Sequence, residues 1–544
     1  MAAAKLLLSR LGLGAAATAS AGIVAVGSDE GLGRAASFWS RAFPVYLHYR
    51  FVEVTTWHLP SSEIDAAFEV LHDRWAPFVR DLTYDLKGYY LKNAQICSTR
   101  PDILPPQYLR WAKKTMDAAP VNLTPAGARA VVESELGRSL EEVFSEWEAE
   151  PFGSASIGQV HRARLRSNGA EVAVKVMAPG VEAMFRNDLS TIRTFCKLAQ
   201  PQYVLTLDEV ERGFETEFDY VGEAQNLQLV RRNLLAHGWG NRVVVPEPYL
   251  ELCTRRVLVQ EYLPGERLDK GVRDQFARFA ARRGLTLEEL EEEQRALAES
   301  GNLRPMTLAG SRRRAKAYRW ALRAGDALAN APRACVNTAH AMLTLGLARK
   351  PLVPYRRSEL PINLAELLEL LIQVHAHEVF VDGAFNGDPH PGNILLLRDG
   401  RIGLIDYGNV KHISLETQLA YARLVLALAD DRKEDVIELM KASGFVTQRM
   451  DPDILYKIAC FWHDRDDDET RRLPGYPGRL NLQQFMDAIE KLDPCLQIPE
   501  WSVMLSRLSL MMRGMGLAFG VQLRVAKAYR GHAEALLRAH GELA

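Results

Sequence analysis

No Cys-x-x-Cys pair occurs in this 544-residue chain, and its six cysteines (Cys97, Cys196, Cys253, Cys335, Cys460 and Cys495) are scattered. Neither a cysteine zinc site nor a disulfide framework follows, and a reducing compartment is the simplest setting. Net charge is nearly absent as well: 67 basic residues against 68 acidic ones leave −1. Without a basic excess there is no electrostatic case for a nucleic-acid partner. Long apolar runs are scarce too. Leu11 to Ser28 is uncharged, but it is rich in Gly and Ala and slightly short of a bilayer span. What is present is ordinary globular composition, 47% hydrophobic and 25% charged, long enough for a two-lobed core with additions.

Acidic residues are few at the N-terminus. Residues 1–50 carry Lys5, Arg10, Arg34, Arg41 and Arg50 against Asp29 and Glu30, in a background of Ala, Ser and Gly. That is the profile of an organellar targeting segment. Mitochondrion is the first reading and chloroplast the alternative, because composition does not separate them. Leu11 to Ser28 reads either as a membrane-associated helix or as part of a cleaved leader.

The chemistry-bearing stretch is Gly387-Asp388-Pro389-His390-Pro391-Gly392-Asn393, followed by Ile405-Asp406-Tyr407-Gly408. Asp388 to Asn393 has the Asp-x-x-x-x-Asn spacing of a kinase catalytic loop, in which the Asp orients the attacking group and the Asn holds a metal. Asp406-Tyr407-Gly408 reads as the metal-binding Asp-Phe-Gly with Tyr for Phe. Asn393–Leu397 and Arg401–Ile405 are predicted to be two short strands around an Asp399-Gly400 turn. Such a hairpin brings Asn393 and Asp406 to one edge, where their hard oxygens suit Mg²⁺ on a phosphate.

Upstream, Gly153-Ser154-Ala155-Ser156-Ile157-Gly158-Gln159-Val160 fits the Gly-x-Gly-x-x-Gly-x-Val nucleotide loop except at Ala155, where the middle Gly belongs. A methyl group there reshapes the backbone cradle for phosphates. Val172-Ala173-Val174-Lys175-Val176 is a period-two strand with Lys175 on the face opposite the three valines. A strand Lys is ordinarily a solvated edge residue. The loop one hairpin earlier favours a Lys on the α- and β-phosphates instead. Val257–Tyr262 then falls where a hinge strand would, with the backbone of Glu261 and Tyr262 meeting the adenine.

These motifs together resemble the ABC1/ADCK/UbiB family of atypical kinases (coenzyme Q and prenyl-lipid kinases). Family members carry Lys-x-Gly-Gln on an N-terminal extension, matched by Lys92-Asn93-Ala94-Gln95 with Ala94 replacing Gly. Gly153-Ser154-Ala155-Ser156 stands where they carry an alanine-rich loop. Glu217-Phe218-Asp219 and Glu223-Ala224-Gln225-Asn226 match Glu-x-Asp and Glu-Ala-x-Asn. The resemblance is close over residues 85–265 and 365–430 and loose elsewhere. It implies that Glu223 pairs with Lys175. It further implies that Lys92, Gln95, Glu217 and Asp219 face the nucleotide cleft, and that the extension folds over the place where a protein substrate would bind. A small or lipidic acceptor, or ATP hydrolysis coupled to a partner, is then expected rather than ordinary protein kinase activity. Asn386-Gly387 stands where many kinases have His-Arg, so phosphate control through an Arg before Asp388 is not expected.

The remaining chain reads as mostly helical. Ser61-Ser62-Glu63-Ile64 begins an amphipathic run with Ala67, Phe68, Val70 and Leu71 on its apolar face. Thr124-Pro125 and Ser139-Leu140-Glu141-Glu142 are helix starts. Residues 270–360 read as an insertion with an acidic run capped by Thr286 and a basic run carrying Tyr318 and Trp320. It is a solvated helix pair, a disordered loop or a membrane-surface contact. Residues 361–380 form an amphipathic helix in which His375 and His377 read as core or surface histidines rather than metal ligands. His390 reads as structural, and Leu505, Leu508, Met512 and Met515 as core.

The expected fold is α+β, a bilobal protein-kinase-like domain with a helical N-terminal extension and a helical C-terminal region. Its expected parts are a targeting segment (1–50), the extension (51–150), an N-lobe (151–265), a C-lobe (266–430, with the insertion at about 270–360) and the C-terminal helices (431–544). The expected activity is an atypical kinase or ATPase using Mg²⁺ and ATP (or ADP), supporting ubiquinone or prenylquinone biosynthesis and lipid homeostasis. Expected partners are a small-molecule or lipid and quinone-related acceptor, a membrane surface and a quinone-biosynthesis complex, with no nucleic acid. The alternatives are a nucleotide-binding pseudokinase scaffold and a membrane-associated lipid adaptor.

Overall fold

Val172, Val174 and Val176 alternate along the Glu171–Met177 strand and are all fully buried on one face. The strand is central in a five-stranded antiparallel sheet with Phe144–Trp147, Gly153–Ser154, Gly158–Leu165 and Val257–Glu261. In the computed structural model, residues 30–98, 104–115, 123–154, 157–199, 207, 211, 216–299, 306–344, 351–358, 360–476, 480 and 482–543 are described. The chain divides into two compact units, Met1–Leu229 with Pro246–Tyr262, and Val230–Val245 with Leu263–Ala544.

In the first unit the valine face of the sheet packs on Val131, Val132, Leu140 and Phe144. The helices that supply these residues start as their sequences predict. Thr124 Oγ1 accepts the Gly127 N–H at 3.1 Å to cap Pro125–Leu136, and Ser139 with Glu142 forms a capping box on Leu140–Val143. The N-terminal helices are Glu30–Thr56, Ser61–Leu86, Gly88–Ser98 and Pro106–Thr115. Phe38 is buried against Leu82 and Leu86, and Arg34 is paired with the buried Asp188. Residues 30–50 are therefore part of the packed unit, while residues 1–29, including the Leu11–Ser28 run, lie outside the described residues. On Ser61–Leu86, Leu71 is buried as expected, whereas Val70 is 69% exposed; the apolar stripe runs on the Leu71 side.

The second unit carries a four-stranded sheet in the order Val243–Val244, Ile402–Leu404, Ile394–Leu397, Gly265–Arg267. The sheet of the first unit thus begins at Phe144, ahead of the expected lobe start. Val243–Val244 and Gly265–Arg267 pair in the second unit rather than with the strands around Lys175. The Leu364–His377 helix is buried on nearly every side, through Leu367, Leu368, Leu370, Leu371 and Val374. It runs into a π-helical turn, Glu378–Asp382, ended by Gly383 at φ 64°. Within the expected insertion lie the acidic helix Leu287–Glu299, started by the Thr286–Glu289 cap, and the long helix Leu308–Leu343. The long helix is tied in by a Met306–Thr307 pairing with Val521–Gln522 and by the Arg312–Glu369 ion pair. Leu505, Leu508, Met512 and Met515 are buried on Glu500–Ala518. The architecture is α+β. Among the described residues, no helix is long and apolar enough to cross a membrane.

Candidate active site

In the first unit, Lys175 sits opposite Val160 in the register of the sheet. Its ammonium meets Glu223 in a two-pronged ion pair, Nζ to Oε1 and Oε2 both at 2.9 Å. Glu223 stands one turn into the Tyr220–Ala236 helix and is 3% exposed; Lys175 is 16% exposed and also lies 5.0 Å from the Tyr220 ring. A buried carboxylate holds the ammonium in one position, where an exposed Lys would sample many.

The loop before this strand folds back as a tight hairpin. Gly153 pairs with Val160 and Ser154 with Gln159, and the Phe152 N–H donates to Val160 O at 3.0 Å. Gly158 is a glycine for a packing reason: a Cβ there would lie 2.1 Å from Val176 O. Ala155 and Ser156 lie outside the described residues. At the hinge position the Glu261 N–H donates to Glu247 O at 2.8 Å, and the Tyr262 N–H to Glu171 O at 3.1 Å. Both of these backbone N–H groups are thus engaged within the first unit. The Tyr262 ring instead packs under the Arg162 guanidinium at 4.5 Å and against Phe152.

The four residues expected to face a cleft make the following bonds in the first unit. Lys92, on Gly88–Ser98, pairs with Glu217 at 2.9 Å. Gln95 Nε2 donates to Thr115 O at 3.1 Å. Asp219 Oδ1 accepts the Gly222 N–H at 3.0 Å and caps the helix that carries Glu223. The Lys92–Glu217 ion pair joins the Gly88–Ser98 helix to the segment just before the Glu223 helix.

In the second unit the hairpin register pairs Ile394 with Leu404 and Leu396 with Ile402, around Asp399 and Gly400 at φ 89°. The Ile405 N–H donates to Asn393 O at 3.1 Å, so Asn393 and Asp406 stand at the same end of the hairpin. Asn386 ties the two motifs together. Its Oδ1 accepts the Asp388 N–H and its Nδ2 donates to Asp406 O, both at 2.9 Å. Gly387 N–H donates to Asn409 O at 2.7 Å, and the Gly392 N–H is accepted by His390 Nδ1 at 3.0 Å, a structural use of that ring.

Two functional-looking residues have no counterpart in the sequence reading. Glu378, fully buried in the π-helical turn, accepts the Tyr407 hydroxyl at 3.0 Å, the Asn386 N–H at 3.3 Å and His375 Nδ1 at 2.8 Å. It thereby positions the Asp406-Tyr407-Gly408 turn and the strand that leads into Asp388. Its signal in the sequence is a lone acid at the end of an apolar helix. The other is Arg507, whose Nη2 lies 3.9 Å from Asp388 Oδ2 at a half-exposed position. It comes from the Glu500–Ala518 helix, and nothing local to Asp388 announces it.

Residues 116–288 and 348–440 match the model of the ABC1 atypical kinase-like domain. An uncharacterized Synechocystis protein is 28% identical over 386 residues, covering 68% of this chain and 74% of that protein. Two Arabidopsis thaliana proteins named Activity of BC1 Complex Kinase 8 and 3, chloroplastic, are 37% and 29% identical, covering 36% and 66% of this chain. The chain spans 26% and 40% of the length of those two proteins. The matched segments contain Lys175, Glu223, Asp388, Asn393 and Asp406, and they omit residues 289–347, most of the expected insertion. The chain belongs to the ABC1 atypical kinase-like family.

Proposed function

We propose that this protein is an atypical kinase or ATPase that binds Mg-ATP. The observation that carries the reading is Asn386, which holds the Asp388 loop and the Asp406 turn by its two side-chain atoms. Asn393 and Asp406, half-buried at one end of the hairpin, present amide and carboxylate oxygens, the donor set that Mg²⁺ takes. They would hold the ion, and Asp388 would orient an acceptor hydroxyl or a water. Lys175, held by Glu223, would meet the α- and β-phosphates. The bound ion would supply neutralisation of phosphate charge.

The acceptor we favour is small or lipidic, in support of ubiquinone or prenylquinone metabolism, and it rests on family membership. The chloroplastic names of the Arabidopsis relatives favour the plastid over the mitochondrion. The Leu308–Leu343 helix supports a membrane-surface partner, since Tyr318, Trp320, Met342 and Leu343 are exposed on a helix rich in Arg.

The test is Mg-dependent ATP hydrolysis by the full chain, with and without anionic liposomes and a quinone-headgroup mimic, beside Asp406→Asn. Turnover that the substitution abolishes is the expected result. Nucleotide binding without turnover would replace the enzyme with a scaffold, and the absence of both would end the reading.

A further inference from the structure

Three side chains outside the kinase-like motifs converge in the second unit. His237 follows the Tyr220–Ala236 helix, His377 ends Leu364–His377, and Asp382 closes the π-helical turn. One ligand atom from each lies within 4.8 Å of the other two. The His377 and Asp382 side chains are 7% and 4% exposed. Their closest approach, Nε2 to Oδ1 at 3.7 Å, is too long for a hydrogen bond. Among the described residues, His377 Nε2 and Asp382 Oδ2 are buried with no hydrogen-bond partner. Two orphaned polar atoms on neighbouring buried side chains ask for a partner.

The geometry suits a cation. His237 Nδ1 lies 2.9 Å from Asn233 O, and a carbonyl only accepts, so Nδ1 carries the proton and Nε2 the lone pair. A backbone carbonyl fixing the far nitrogen is the usual support of a metal-binding imidazole. Trp239 and His532 pack around His377, while His237 is exposed and offers a way in. Two imidazoles and one carboxylate select zinc's class over Mg²⁺ or Ca²⁺ and leave a fourth position open.

We propose that His237, His377 and Asp382 form a three-ligand Zn²⁺ site. It is separate from the Asn393 and Asp406 pair and shares no ligand with it. Its turn is the one from which Glu378 reaches Tyr407, so a bound ion would stiffen that support.

The experiment uses the untagged full chain, stripped with a chelator, dialysed, and titrated with Zn²⁺ against a chromophoric competitor, with Tm measured in parallel. Wild type is expected to take Zn²⁺ stoichiometrically and to gain Tm. His237→Ala, at an exposed position, and Asp382→Asn should each lose binding and the Tm gain, with metal-free circular dichroism unchanged for His237→Ala. Substoichiometric uptake by wild type would overturn the proposal. So would stoichiometric uptake that survives His237→Ala.

Discussion

The Tyr407 hydroxyl donates to Glu378 Oε1 at 3.0 Å in a place where neither side chain meets solvent. This explains why Tyr can stand where Phe is usual: its hydroxyl has a carboxylate to go to, and burial lifts the phenol's pKa well above its ordinary value. Tyr407→Phe removes the donor and leaves a buried carboxylate oxygen short of a partner. The expected loss of stability is about 1–3 kcal/mol, read by urea denaturation. A neutral or stabilising result would mean that Glu378 is supported by its other donors alone.

Gly158→Ala should fail for steric reasons rather than through lost phosphate contact. The new methyl carbon would lie 2.1 Å from Val176 O, on a backbone held by strand pairing. Separating the two strands should cost about 3 kcal/mol or more, and amide exchange in Glu171–Met177 should accelerate with it. Gly153→Ala is the contrast: its Cβ would meet Val160 at an ordinary 3.6 Å and should change stability little.

What the sequence made legible was local. The Asn393 and Asp406 placement follows from a hairpin whose Asp399-Gly400 turn and two short apolar strands are encoded within a dozen or so residues. The Lys175 strand is legible because valines at every second position dictate its face. Glu378 and Arg507 escaped because their partners are set by tertiary packing, and neither spacing nor composition records that. Asp219 was read for its place in a family motif, although an Asp just before a helix is also an N-cap, and the Gly222 N–H goes to it. The helix Glu30–Thr56 was masked by composition: Arg, Ala and Ser describe a leader equally well, and nothing in them reveals that Arg34 reaches Asp188.

His463 should shape the acid limb of stability. It is fully buried, 3.0 Å from Ser502 Oγ and near Trp501 and Tyr421, and burial followed by the Arg513 charge pushes it down to about 3. Against an ordinary value of 6.5, the unfolded chain binds a proton there that the folded chain refuses. The stabilisation is therefore full above pH 6.5 and drains away as pH falls toward 3. The whole span is worth on the order of 5 kcal/mol. His463→Gln should flatten this limb in urea titrations run at a series of pH values. An unchanged slope would assign the acid sensitivity to other groups.

The Arg34–Asp188 pair tests whether residues 30–50 belong to the folded protein. Arg34 Nε and Nη2 both donate to Asp188, at 2.9 and 2.5 Å, and Asp188 is 1% exposed. Burial raises the Asp188 pKa, and Arg34 pulls it part of the way back. Arg34→Ala leaves a buried carboxylate without its cation and should cost about 3 kcal/mol near neutral pH. Without Arg34 the acid would be raised further above its unfolded value. Its charged form would then oppose folding, and stability would fall as pH rises through the new folded value. The penalty should accordingly be smaller at pH 5 than at pH 8, measured by urea denaturation of the full chain. A variant indistinguishable from wild type at both pH values would return residues 30–50 to a detachable leader.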